Sequence, residues 1–308
     1  MQCKAQQLVS SGIRTSTRST YSVPQNKFIQ FCKYIGVNAL PASDNTLLLF
    51  ITHLHQNKLS LSTIKVYMSS IITMHNIAGL APPNLKNPQI KLAIRAISYT
   101  SPVPTQKSPI TFKLLFSIWQ IVNRLPQHRC IKAAIALGFF AGLRGAEYLQ
   151  TRFNPGPTLS QLTFSKNDPN TMSFTVKSSK TKPQGFTVNI SCSKHEVCAT
   201  CAMKDYLSHR QGIAGQGSHH SLFMYNGTVL TKIKLNAILK DLVLCLGLQP
   251  NKYTLHSLRS GVATTAATSN FKEWEVKMLG GWATNTYLTY IRPRKHHTKH
   301  FARRLTQK

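Results

Sequence analysis

The sequence predicts a mainly α protein in two parts, with one small antiparallel β-sheet in the second. Three observations carry that expectation. Apolar residues recur at helical spacing through most of the 308 residues. The period changes to two only once, between Met172 and Ile190. A stretch with three prolines, SYTSPVPTQKSPI at 98–110, interrupts the helical pattern about a third of the way along.

The first part reads as four short helices. Between Thr17 and Ile35, residues Tyr21, Phe28, Phe31, Cys32 and Ile35 fall partly at helical spacing. Asp44 is suited to cap a second helix through Leu47–Phe50 to Leu54. Ser62 opens a third, with Ile64, Tyr67, Ile71, Ile72 and Met74 inward, and a fourth lies around Ile90–Ile97. These define a domain over 1–100. Residues 101–110 form the linker, because proline blocks helix continuation and stiffens extended chain.

The second domain, 111–308, opens with Thr111–Leu125 and Ile131–Gln150, each too apolar all round for a surface helix. Met172, Phe174 and Val176, then Phe186, Val188 and Ile190, alternate as the strands of a hairpin whose tip is Lys177 to Gly185. Helices follow at Ala202–Arg210, Lys232–Cys245, His256–Thr268, Lys272–Leu279 and around Thr286–Tyr290.

Charge narrows the function. Lys and Arg number 38 against 8 Asp and Glu, a formal charge of +30. Such an excess repels itself unless a polyanion neutralises it, and nucleic acid is the usual one. No apolar run approaches the roughly 18–20 residues of a bilayer span, and no lipidation motif stands out, so no membrane partner is expected. The acids are Asp44, Glu147, Asp168, Glu196, Asp205, Asp241, Glu273 and Glu275. They are scattered, whereas two-metal nucleases and transposases need convergent carboxylates to hold their cations. Phosphodiester chemistry here is expected to proceed without a metal or other cofactor.

Seven cysteines without a secretory signal read as reduced thiols inside the cell. Cys192, His195, Cys198 and Cys201 could hold zinc, but their tight spacing lacks the long loop between ligand pairs of a zinc finger. They are read as free thiols at a loop-to-helix junction. The Ser/Thr/Arg-rich first 40 residues superficially suit a transit peptide, but acid poverty runs through the whole chain, so a nuclear or nucleoid protein fits better.

Four segments then stand out in order: Gly142-Leu143-Arg144-Gly145-Ala146-Glu147-Tyr148; the hairpin tip Ser178-Ser179-Lys180-Thr181; Leu255-His256-Ser257-Leu258-Arg259-Ser260-Gly261; and Leu279-Gly280-Gly281-Trp282 followed by Tyr290-Ile291-Arg292. Each alone is ordinary. Together, on an acid-poor chain with His256 and Arg259 one helical turn apart, they resemble the tyrosine recombinase family, which includes phage integrases. The resemblance covers both domains and is specific from about residue 111 onward. Trp282 and the ending YLTYIR look most like recombinases of eukaryotic DIRS-like retroelements and Crypton-type transposons. The interval from Trp282 to the tyrosine is one residue shorter than in many bacterial and phage members, and Tyr287 stands close by.

The resemblance implies a helical core-binding domain, a catalytic domain, and a DNA breaking and rejoining enzyme acting as a homo-tetramer on paired double-stranded sites. It implies no small-molecule substrate, and nuclear location in a eukaryotic host or the cytoplasm or nucleoid otherwise. Tyr290 is the implied nucleophile, and Lys180 the implied acid for the departing 5′ oxygen, with Lys177 and Lys182 as rivals on the same loop. The residue chemistry agrees. Arg144 and Arg259 suit the non-bridging oxygens, since guanidinium forks match phosphate geometry and stay charged. His256, at a predicted helix start with Thr254 as cap, can accept the tyrosine proton. Trp282 supplies an N–H donor and a flat face to buttress the tyrosine. Glu147, on the same helix face as Arg144, orients the scaffold. The basic tail from Arg292 contacts DNA, docks on a neighbouring subunit, or adds nonspecific affinity. Competing readings are a type IB topoisomerase, a catalytically silent DNA-binding descendant, and a plain helix-turn-helix regulator, which would leave Lys180 and Tyr290 unexplained.

Overall fold

A computed structural model describes residues 2–102, 106–125, 128–211, 220–282 and 284–291. The chain divides into two compact units, Met1–Pro104 and Thr105–Lys308.

The first unit contains α1 (Gln2–Ser11), α2 (Thr15–Tyr34), α3 (Asp44–Gln56), α4 (Leu61–Ala78) and α5 (Pro88–Thr100). Helix α1 was not expected. It carries Leu8 and Val9 exposed, so no apolar stripe marks it in the sequence. The core joins Phe28 and Cys32 of α2, Leu47, Phe50 and Ile51 of α3, Ile64 and Ile71 of α4, and Ile90 of α5. Each such large apolar side chain contributes about 1.5–3 kcal/mol when fully buried.

Two helix caps differ from expectation. Ser43, not Asp44, caps α3: its Oγ accepts from Thr46 N at 3.1 Å. The Asp44 carboxylate instead accepts from Asn84 N (2.6 Å) and Asn87 Nδ2 (2.8 Å), which holds its pKa below the usual value and ties α3 to the approach to α5. Ser60, not Ser62, caps α4, accepting from Thr63 N at 3.2 Å. A cap must have extended backbone while the next residue is helical, and Ser43 and Ser60 meet that requirement.

The second unit runs α6 (Phe112–Val122), α7 (His128–Phe140), α8 (Gly145–Tyr148), β1 (Leu162–Phe164), β2 (Thr171–Val176), β3 (Phe186–Ser191), α9 (Ala199–Gln211), β4 (Met224–Tyr225), β5 (Thr228–Val229), α10 (Lys232–Cys245), α11 (His256–Thr268) and α12 (Glu273–Gly280). Helix α7 is the core helix, with all but one residue between Cys130 and Phe139 buried, and it packs against α6, α9 and α11. Ile131–Gln150 is therefore not one helix, as the apolar run suggested. It breaks after Phe140 because Gly142 turns left-handed (φ 55°), and the chain restarts as α8.

The expected hairpin forms, with Met172 opposite Ile190, Phe174 opposite Val188 and Val176 opposite Phe186. Met172, Phe174 and Val176 face the core. The strand β1 adds a third, antiparallel edge to β2, too short to show a period of its own. A second two-stranded sheet, β4–β5, closes on Asn226-Gly227, both with positive φ. The helix expected around Thr286–Tyr290 is a 3-10 turn, Asn285–Thr289. The architecture is thus mainly α with small antiparallel sheets. Among the described residues no helix is long and apolar enough to cross a membrane.

Candidate active site

The site is assembled where the α7–α8 turn meets the end of α12. A Cβ on Gly142 would lie 2.9 Å from Gly280 Cα and 3.1 Å from Leu279 O, so only glycine permits this approach. Just beyond it, Arg144 stands at the N-cap of α8 rather than on a helix face shared with Glu147. Glu147 closes back on it: Oε2 accepts from Arg144 N at 2.7 Å and Oε1 from Nη1 at 2.9 Å. The Glu147 side chain is 4% exposed and that of Arg144 31%. A buried carboxylate thus holds one edge of a guanidinium whose other donors reach solvent, an arrangement that pre-orients a cation for an incoming anion.

Helix α11 supplies the next two groups. Arg259 is 1% exposed; its Nη1 donates to the Gly142 carbonyl, and its guanidinium lies 4.4 Å from the centre of the Trp282 ring. Tyr290 lies close enough to the same guanidinium to favour its charged form. His256, one turn earlier, is exposed, and its ring meets the Tyr290 ring edge-on at 5.1 Å. Thr254 does not cap this helix. Its backbone N–H donates to Ser257 Oγ at 3.0 Å, and the N-cap is Leu255, already helical.

Trp282, 6% exposed, has its ring 5.8 Å from that of Tyr290. Its Nε1 and the Nε of Arg259 are buried without a hydrogen-bond partner among the described residues. Tyr290 ends the 3-10 turn, where its carbonyl accepts from Thr264 Oγ1 at 3.0 Å and so is fastened to α11. His256, Arg259, Trp282 and Tyr290 are therefore linked through ring and guanidinium contacts, and Arg144 acts on His256 and Arg259 through its charge.

Tyr287 is placed differently. It is buried, and burial followed by the neighbouring Glu273 carboxylate raises its pKa, with Lys277 5.9 Å from its ring. Lys180 is exposed on the hairpin tip, with no hydrogen bond or ion pair among the described residues. Lys182 is closer in: its Nζ lies 4.8 Å from the Phe186 ring centre and 3.5 Å from where a Gly281 Cβ would be. The tip is tied by Ser179 N to Lys182 O (2.9 Å) and Lys182 N to Ser179 Oγ (3.0 Å). Lys177 is exposed, and the tail from Arg292 onward lies outside the described residues.

The cations act on His256. Its pKa falls below the ordinary value of 6.5, through desolvation first and then Arg259, Arg144 and Lys232. Lys232, the first residue of α10, was not singled out in the sequence. One lysine among 38 basic residues carries no signal there. The sign follows from linkage. The folded state resists protonating His256, so its contribution to stability is complete above pH 6.5 and is lost as pH falls through the lower folded value. An NMR titration of His256 in the free chain is expected to show a midpoint below 6.5. A midpoint above that value would contradict the cationic surroundings.

This fold is similar to that of tyrosine recombinases and integrases. No protein-family model matches the chain. It is 26% identical over 274 residues to an integrase/recombinase xerD homolog of Selenomonas ruminantium, covering 86% of this chain and 77% of that protein. Among solved structures, the XerH site-specific recombinase bound to palindromic difH substrate is similar with a TM-score of 0.66 and 16% identity, over 93% of this chain and 78% of that one. The Tn1549 transposon integrase in complex with transposon right end DNA gives 0.62 and 13%, over 98% and 99%. A lambda integrase dimer bound to a COC′ core site gives 0.60 and 15%, over 95% and 94%.

Proposed function

We propose that this protein is a site-specific DNA recombinase that breaks and rejoins strands through a 3′-phosphotyrosine on Tyr290, without cofactor, in the service of a mobile element. The observation that carries the proposal is the setting of Arg259, which touches the Gly142 turn, the Trp282 face and Tyr290 together. A phosphodiester seated beside Arg144 and Arg259 would have both non-bridging oxygens neutralised as charge builds on them. The Tyr290 oxygen attacks phosphorus, its proton passes to His256, and the bond from phosphorus to the 5′ oxygen breaks. Lys180 protonates that oxygen, leaving a free 5′ hydroxyl. The covalent link retains the bond energy, so attack by another strand's 5′ hydroxyl rejoins DNA without ATP.

Double-stranded DNA is the partner that a charge of +30 calls for. The similar structures of XerH, Tn1549 integrase and lambda integrase were each solved on DNA, which supports the same reading. Paired sites held by a homo-tetramer, in the nucleus of a eukaryotic host, complete the proposal.

The test uses nicked duplexes of randomised sequence, built so that cleavage releases a short fragment and cannot reverse, in magnesium-free buffer. DNA found by mass spectrometry on Tyr290 in SDS-stable complexes is the expected result. DNA binding with no adduct would instead identify a silent descendant of a recombinase.

Lys180 makes a separate prediction. Lys180→Ala is expected to slow cleavage by about 10²–10⁴-fold, as loss of a general acid does. A substrate with sulfur in place of the bridging 5′ oxygen should restore the rate, since thiolate leaves without a proton. If only Lys182→Ala shows that rescue, the acid is the lysine packed on Phe186.

A further inference from the structure

The sequence reading left Cys192, Cys198 and Cys201 as free thiols, but folding gathers them. Cys192 follows the end of β3, while Cys198 and Cys201 bracket the start of α9. Their three sulfurs lie within 4.8 Å of one another, Cys192 to Cys201 at 3.5 Å and Cys192 to Cys198 at 3.6 Å. From these sulfurs we infer a thiolate site for a soft divalent cation, with Zn²⁺ as the natural occupant and solvent in the fourth position.

Three features favour a metal. Sulfurs bound tetrahedrally at about 2.3 Å from zinc stand about 3.8 Å apart, a few tenths of an ångström from the two separations that Cys192 makes. A disulfide would use two sulfurs and give no reason for a third to converge. Backbone donors already face the sulfurs: Cys201 N points to Cys198 Sγ at 3.4 Å and Lys194 N to Cys192 Sγ at 3.5 Å. Such N–H groups offset thiolate charge, and a net anionic centre sits favourably in a chain of +30.

The neighbouring donors are otherwise engaged. His195 stays outside the set: its Nδ1 accepts from Val197 N at 3.0 Å, and its ring packs edge-on against Phe112 and Phe116. Glu196 accepts from Gln120 at 2.8 Å. Cys201 is exposed, which leaves the fourth position open to water. The ion would staple the end of β3 to the start of α9, a junction otherwise joined by Thr200 Oγ1 donating to Ile190 O at 3.0 Å. This role is structural and independent of the DNA chemistry.

The test uses the full chain, purified under reducing conditions from zinc-supplemented cells. Elemental analysis should find one zinc per chain. Replacement by cobalt chloride should give the visible bands of a tetrahedral site and sulfur-to-cobalt charge transfer in the near ultraviolet. C192S, C198S and C201S should each weaken cobalt binding at least about tenfold. C245S and H195A should retain it. The wild-type cobalt spectrum needs no variant, so a misfolded mutant cannot obscure the answer. Reduced wild-type protein that takes up neither metal would overturn the site, as would an unchanged spectrum in the triple variant C192S/C198S/C201S. Loss of the ion in H195A would overturn the three-sulfur assignment.

Discussion

Tyr290→Phe is expected to abolish covalent attachment to DNA while leaving DNA binding intact, and Tyr287→Phe to keep the adduct. The change at Tyr290 removes one oxygen, the atom that would form the bond to phosphorus, and single-turnover cleavage should fall by more than about 10⁴-fold. The two tyrosines sit three residues apart on one 3-10 turn, so spacing alone does not choose between them. Their surroundings do. Tyr290 has the His256 ring edge-on at 5.1 Å and the Arg259 guanidinium beside it, the surroundings that the proposed proton transfer and oxyanion need. Tyr287 is buried beside the Glu273 carboxylate, which opposes its ionisation. Loss of its hydroxyl should lower stability modestly and leave the chemistry in place. SDS-stable complexes formed by Tyr290→Phe and absent from Tyr287→Phe would reverse the assignment.

The parts of this molecule that were legible in the sequence share a physical origin. The β2–β3 hairpin followed from alternation, because the face carrying Met172, Phe174 and Val176 had to be buried. Helices α10 and α11 followed from apolar spacing, to the residue in both cases. The readings that failed concern places where a tertiary contact decides the backbone. The run Ile131–Gln150 is apolar across the break at Phe140, where Gly142 turns left-handed and its close pass against Gly280 admits only glycine. Arg144 consequently became a helix cap, with Glu147 turned back on it, instead of one residue on a long face. Caps at Ser43 and Ser60 were missed because Asp44 and Ser62 are equally good capping residues one or two positions away. The candidate site residues stood out because their order is unusual on an acid-poor chain. Their support was invisible: Lys232 beside His256 and Thr264 beneath Tyr290 come from contacts that no spacing encodes. The three-sulfur cluster was under-read for the same reason, since sequence gives the intervals but not the fold-back of β3 onto α9.

Arg259→Met separates activity from stability, with cleavage expected to fall by at least about 10²–10³-fold, the loss seen on removing one preorganised donor from an oxyanion site. The fold should tolerate it. Burial first, and then Arg144, push the Arg259 pKa down, so the folded chain resists its charge, with Glu147 and Tyr290 only partly opposing. Removing a buried charge relieves the cost of keeping it out of water. Against that gain stand two losses. The Gly142 carbonyl loses its donor, at about 1–3 kcal/mol if it stays buried and unpaired. The guanidinium also leaves the Trp282 face, an interaction of about 0.5–2 kcal/mol. These oppose each other, so the urea unfolding free energy is expected to change by no more than about 2 kcal/mol. Arg259→Lys is the informative companion. It keeps a positive charge but loses the planar fork that can hold the Gly142 carbonyl and a phosphate oxygen at once, so it should recover little of the lost rate. Cleavage within about tenfold of wild type in Arg259→Met would take Arg259 out of phosphate stabilisation. Collapse of the fold in that variant would instead make Arg259 the strut that joins α11 to the α7–α8 turn.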